Sequence, residues 1–158
     1  MHFTNLADVI REAIRETEAA FFTMDIGIKA GPAVTTSAHE PYVPPQADVT
    51  AILAFNGSIE GGVHLSAPFH SAVALAAAFS GEEISDFNGT AKDAIGELAN
   101  IIAGAVKSRI CDDQIQLTPP RVVVGRDHLV GITKRQASTK CYFKTDSGPF
   151  LVEVFFSH

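Results

Sequence analysis

The stretch Asp93-Ala-Ile-Gly-Glu97-Leu-Ala-Asn100-Ile-Ile-Ala-Gly104-Ala-Val-Lys107 sits inside a proline-free run, residues 90–110, whose apolar side chains recur at intervals of three and four. That spacing predicts a helix. On a wheel of about 100° per residue, Ile95, Leu98, Ile102, Ala105 and Val106 gather on one side, while Asp93, Glu97, Asn100, Gly104 and Lys107 gather on the other. The first side is a core face. The second places a carboxylate and a carboxamide three residues apart, where side chains project next to each other from a rigid support. Gly104 is costly there, since glycine in an exposed helix interior is about 1 kcal/mol less favourable than alanine. A partner that approaches closely would account for it. On spacing alone, however, Glu97 and Asn100 are sufficiently explained as residues that keep the helix soluble.

Outward from this helix the chain alternates between two patterns. Residues 6–22 carry apolar side chains at helical intervals with charges between them and predict an amphipathic helix. Residues 26–34 predict a short strand, followed by a loop, because Pro32, Pro41, Pro44 and Pro45 cannot continue a helix or a central strand. Residues 49–55 end at Asn56-Gly57, a dipeptide suited to a tight hairpin turn, and residues 63–65 form the return strand. Ala67-Pro68 opens an alanine-rich helix over 70–79, closed by Ser80-Gly81. Beyond the central helix, 121–124 and 128–132 predict a hairpin around Gly125-Arg126-Asp127. Residues 139–144 and 150–156 predict another around Asp146-Ser147-Gly148-Pro149. The predicted class is α+β, a largely antiparallel sheet with helices packed on one face.

Composition narrows the function. A chain of 158 residues, 46% apolar and 19% charged, has the size of a single globular domain over 1–158. Eighteen acidic against twelve basic side chains give a net charge of -6, without a basic cluster to track a phosphate backbone, so nucleic acid is not an expected partner. Charges at Asp8, Arg11, Glu12, Arg15, Glu16 and Glu18 interrupt the N-terminal segment; a membrane span is not expected, and a cytoplasmic location is. Cys111 and Cys141 read as reduced structural thiols, and His2, His39, His64, His70, His128 and His158 show no pair at metal-ligand spacing. Gly61-Gly62 reads as a strand bulge. The aromatic residues Phe143, Phe150, Phe155 and Phe156 read as core, or as an edge strand able to pair with a second subunit.

The segment from Asp93 to Gly104 resembles the active-site helix of the CheC/CheX/FliY phosphatases, whose motif is Asp or Ser, three residues, Glu, two residues, Asn. The likeness continues in Asn56-Gly-Ser-Ile-Glu-Gly-Gly-Val-His-Leu before the helix and in Pro119-Pro-Arg-Val-Val-Val-Gly125 and Asp146-Ser-Gly-Pro-Phe150 after it. It departs from the family at one place. The family's proline lies further beyond the asparagine than Pro119 and Pro120 do here, which implies a shortened loop. Only one complete motif is present, as in the single-site CheX members; Asp8, Glu12 and Arg15 repeat the spacing with arginine in place of asparagine. Chance recurrence of a helical charge pattern is the expected explanation, and that helix is expected to be catalytically silent.

The resemblance implies hydrolysis of the aspartyl phosphate on a CheY-type response regulator. It assigns Asn100 the orientation of the attacking water and Glu97 a pairing with the regulator's invariant lysine. Asp93, Gly104 and Lys107 become partner-contacting residues, magnesium is supplied by the regulator rather than by this chain, and a homodimer through the sheet is expected. The competing expectation is a non-catalytic docking module, as in flagellar switch proteins of the same fold.

Overall fold

In the computed structural model, residues 5–110, 115–132 and 136–157 are described. The order is α1 (Leu6–Phe21), β1 (Lys29–Thr36), β2 (Gln46–Asn56), β3 (Glu60–Ala67), α2 (Phe69–Ser80), α3 (Gly89–Ile110), β4 (Gln116–Leu117), β5 (Arg121–Leu129), β6 (Ala137–Thr145) and β7 (Gly148–Ser157). The strands form one antiparallel sheet of order β1-β6-β7-β3-β2-β4, with β5 also on β2. The predicted α+β class is therefore the observed one.

Alternation builds the core. Val49, Ala51 and Leu53 on β2 face Ala67, Leu65 and Val63 on β3, and Val152 and Val154 on β7 continue the same layer. Onto it pack Ile10 and Ile14 of α1, Leu75 of α2, and Ile95, Leu98, Ile102 and Val106 of α3, all buried. Each such side chain contributes roughly 1.5–3 kcal/mol relative to exposure.

The topology contains an internal symmetry. The successions α1-β1-β2-β3 and α3-β5-β6-β7 can be exchanged without altering the strand order β1-β6-β7-β3-β2-β5. Under that exchange α1 takes the place of α3.

Four sequence expectations need correction. Residues 121–129 are one strand, not a hairpin. The Gly125-Arg126-Asp127 segment bulges opposite Asp48, whose carboxylate accepts N–H bonds from Asp127 (3.0 Å) and from Phe69 at the start of α2 (2.9 Å). His128 then rejoins the ladder and its Nε2 bonds Thr50 Oγ1 at 2.8 Å. Gly61 and Gly62 keep an unbroken register and are not a bulge. Glycine is required because a Cβ would meet the Phe155 carbonyl oxygen at 2.0 Å and the Leu53 carbonyl oxygen at 2.3 Å. The first strand begins at Lys29 rather than 26, after Asp25 accepts the N–H of Gly27, which has φ +65°. Finally, of the two readings of the aromatic C-terminal hairpin the core one holds, with Phe143, Phe150 and Phe155 buried, and the edge strand does not: β6 lies between β1 and β7, and β7 between β6 and β3. It offers no edge to a second subunit; the free edges among the described strands are those of β1 and of β5 with β4.

The centre of the sheet face away from the helices is not open to water. Lys140, Glu153 and His64 are cross-strand neighbours on β6, β7 and β3, all buried. Residues 37–45 cover them: the Tyr42 hydroxyl donates to Glu153 Oε1 (2.7 Å), and Lys140 Nζ donates to the Val43 carbonyl (2.6 Å) and lies 4.7 Å from the Tyr42 ring centre. Burial pushes Glu153 up from the ordinary carboxylate range and His64 down to about 4, so His64 is neutral at pH 7.

Candidate active site on the third helix

Asn88 starts α3. Its Oδ1 accepts the N–H of Ala91 at 2.9 Å, the usual satisfaction of an orphan donor in a helix's first turn. Lys107 and Arg109 lie in the last turn, where cations complement the helix dipole. Arg109 also reaches across to Glu16, tying α3 to α1. The helix is thus anchored at both ends, with its apolar stripe locked into the sheet.

The opposite stripe agrees with the sequence reading. Asp93, Glu97 and Asn100 are exposed, and Gly104 and Lys107 are half-buried. Asp93 and Lys107 are about 21 Å apart along the axis at 1.5 Å per residue. Among the described residues, the side chains of Asp93, Glu97, Asn100 and Lys107 make no hydrogen bond or ion pair within the chain. The carboxylate and carboxamide are therefore free to meet groups from outside. A Cβ at Gly104 would meet no atom within 4 Å beyond its chain neighbours and the backbone of its own helix turns, so internal packing does not demand the glycine. Ala105, placed on the core face by the wheel, is only half-buried.

Sequence reasoning missed the ledge beside this stripe. Strand β5 lies against α3 where a Cβ on Gly96 would meet Val122 Cγ2 at 3.6 Å and Pro120 Cγ at 3.7 Å. Val124, the next residue of β5 on the same face, is 43% exposed. The Pro-Pro-Arg-Val-Val-Val run was the available signal, but its alternation reads as an ordinary strand until β5 is known to be an edge. Upstream, Thr118 exchanges bonds with Ala54, its N–H donating to the Ala54 carbonyl and its Oγ1 accepting the Ala54 N–H. The expected shortening of the connection after α3, and the reading of Cys111, fall on residues 111–114, which lie outside the described residues.

The helix α1 carries the similar spacing in a different state. Arg15 Nη2 donates to Glu12 Oε1 at 2.6 Å, and Arg11 lies 3.5 Å from Asp8. Asp8 and Glu12, the two carboxylates of that spacing, are paired within the helix, unlike Glu97. α1 occupies the symmetric place of α3 in the topology.

Of the remaining sequence candidates, Cys141 is a buried free thiol, its pKa pushed up to about 11 by burial. His39 and His70 are exposed, His128 is half-buried and His64 is core, while His2 and His158 lie outside the described residues. No described helix is long and apolar enough to cross a membrane.

Comparison with known proteins agrees with this fold. A curated relative, the CheY-P phosphatase CheX of Thermotoga maritima, is 36% identical over 82 residues, which is 50% of this chain and 53% of the relative. The chain thus spans about half the length of that relative. A chemotaxis protein from Desulfovibrio vulgaris Hildenborough superimposes with TM-score 0.85 at 22% identity over 98% of both chains. The CheX of the CheX-CheY-BeF3-Mg complex from Borrelia burgdorferi superimposes with TM-score 0.78 at 18% identity over 98% of this chain and 99% of that one. Residues 49–144, most of the sheet together with α2 and α3, match the family described as chemotaxis phosphatase CheX, and the chain belongs to that family.

Proposed function

We propose that this chain, acting as a single cytoplasmic domain over 1–158, hydrolyses the aspartyl phosphate of a CheY-type response regulator. The observation that carries the reading is the pair Glu97 and Asn100, exposed and unpaired on a rigid helix in a chain of the CheX family. The name of the Thermotoga relative and the Borrelia complex with CheY support the choice of substrate.

An aspartyl phosphate is an acyl phosphate, so its hydrolysis needs no covalent enzyme intermediate. A water oxygen bonds to phosphorus as the bond from phosphorus to the carboxyl oxygen breaks, and the regulator's aspartate leaves as a carboxylate. The task is to place the water in line. A carboxamide suits it, since Asn100 offers a donor and an acceptor and carries no charge toward the phosphoryl oxygens. Glu97 is an anion and would be repelled by a phosphoryl group; paired with a lysine of the regulator it docks and orients the complex. Asp93 and Lys107 extend the docking stripe, and Gly104 lets the partner's backbone come close. Magnesium in this reading belongs to the regulator's own acidic pocket. A homodimer through a sheet edge completes the proposal. The β1 edge is broken by a register shift around Pro32, which leaves residues 121–124 of β5 better suited to pairing.

The test is the lifetime of a phosphorylated CheY-type regulator with and without the protein. Shortening at substoichiometric protein is the expected result. A lifetime unchanged or lengthened would favour the docking module.

A further inference from the structure

Helix α2 has no charged side chain: His70 is its single titratable residue in Phe-His-Ser-Ala-Val-Ala-Leu-Ala-Ala-Ala-Phe-Ser. A helix apolar on every side is normally covered on every side. Here the inner face packs in the core, but Val73 and Ala74 are only half-buried. Residues 81–87 turn back along the outer face from Ala77 toward Phe69. Between them lie two adjoining hollows of about 590 and 400 Å³ that meet at Ser85. Their apolar floor is Val73, Ala77, Ile84 and Met24. Both ends are braced. Thr23 donates through N–H (2.8 Å) and Oγ1 (2.9 Å) to the Ala78 carbonyl, and the Phe69 and Phe87 rings lie 6.1 Å apart. The rim carries Glu82, Glu83 and Asp86, with no lysine or arginine in the lining and no ion pair to any of the three among the described residues.

We infer that this groove receives a basic amphipathic helix from a partner protein, a second docking site separate from the α3 stripe. The apolar floor calls for an apolar stripe and the unpaired carboxylates for flanking lysine or arginine. At 12 residues α2 is about 18 Å long, room for a partner helix of about three turns. A second copy of this chain does not fit: its own amphipathic helix α1 is already packed in the core and carries Asp8, Glu12, Glu16 and Glu18. Anionic membrane is repelled by the same rim. The groove ends at Phe87, two residues before α3 begins at Gly89. The inference stands independently of the phosphatase proposal.

The probe is a fluorescent peptide of leucine and lysine, about 14 residues long, with leucines at i, i+3, i+4 and i+7. Fluorescence anisotropy should show saturable binding, and amide shifts should move at Val73, Ala77 and Ile84. Val73→Asp should weaken binding about tenfold or more, as should the combined reversals E82K, E83K and D86K. Ile84→Ser serves if Val73→Asp does not fold. Glu12→Lys on α1 should leave affinity unchanged. Absence of binding, equal binding of a peptide with scrambled leucines, indifference to the rim reversals, or shifts centred elsewhere would each overturn the inference. So would binding to phosphatidylserine vesicles that the rim reversals do not strengthen.

Discussion

Replacing Gly104 by alanine separates what helix α3 needs for itself from what a docked partner needs of it. The glycine lies 15 residues into a 22-residue helix, where alanine is favoured by roughly 0.5–1 kcal/mol because the unfolded chain loses less freedom. A Cβ there meets no atom within 4 Å beyond its chain neighbours and the backbone of its own helix turns, so nothing in the fold offsets that gain. Gly104→Ala should therefore raise stability by about 0.5–1 kcal/mol, a Tm increase of roughly 2–4 °C at most for a chain of this size. If a regulator packs against that position, the added methyl overpacks the interface at a cost of about 1–3 kcal/mol, and apparent affinity should fall by about tenfold. Gly96→Ala is the internal control. It places a Cβ at ordinary contact distance, 3.6 Å, from Val122 on the protected side of the same helix. It should stabilise without weakening the complex. Denaturant unfolding of both variants, with titration of the regulator locked by beryllofluoride, measures the two quantities. A destabilised Gly104→Ala would refute the reading of the local space. A stabilised one with unchanged affinity would refute the docking role of this glycine.

Glu97→Gln should keep the fold and weaken regulator binding by about tenfold, read by the same titration; unaltered affinity would remove Glu97 from the pairing with lysine. Glu153 has its pKa raised by burial, so its contribution to stability is present below the ordinary carboxylate value and is lost as pH rises through the folded one. Glu153→Gln should be at least as stable as the native chain at pH 8 by thermal unfolding and should flatten the pH dependence; a variant clearly less stable at pH 8 would show that Lys140 holds the charged form. Asp48 is held below its ordinary range by N–H bonds from Asp127 and Phe69, so its contribution is present above about pH 4 and fades as pH falls. Asp48→Ala should cost about 1–3 kcal/mol at pH 7 and less at pH 3, by urea unfolding.

Local information carried most of the helices. Residues 6–22 and 90–110 were legible because their apolar period matches a single face that packs on a sheet, and α2 because Pro68 and Gly81 mark its ends. The α3 stripe was equally legible, since a helix fixes which residues share a face. What escaped depends on distant residues. Gly125-Arg126-Asp127 has turn chemistry, but the strand continues because Asp48, far back in the chain, accepts the bulged amide. Lys140 and Glu153, on alternating positions of two strands, look like solvent-facing charges. They are buried because residues 37–45, read only as a loop, lie over them. The edge status of β5, which gives Val123 and Val124 their exposure, follows from pairing order and from no local pattern.

The most direct test of the central claim is the decay of a phosphorylated CheY-type regulator measured with native protein and with Asn100→Ala, fold and regulator affinity being checked for both. The account predicts faster decay with the native chain and a loss of nearly all acceleration in the variant, with binding largely retained. Equal acceleration by the two proteins would contradict it.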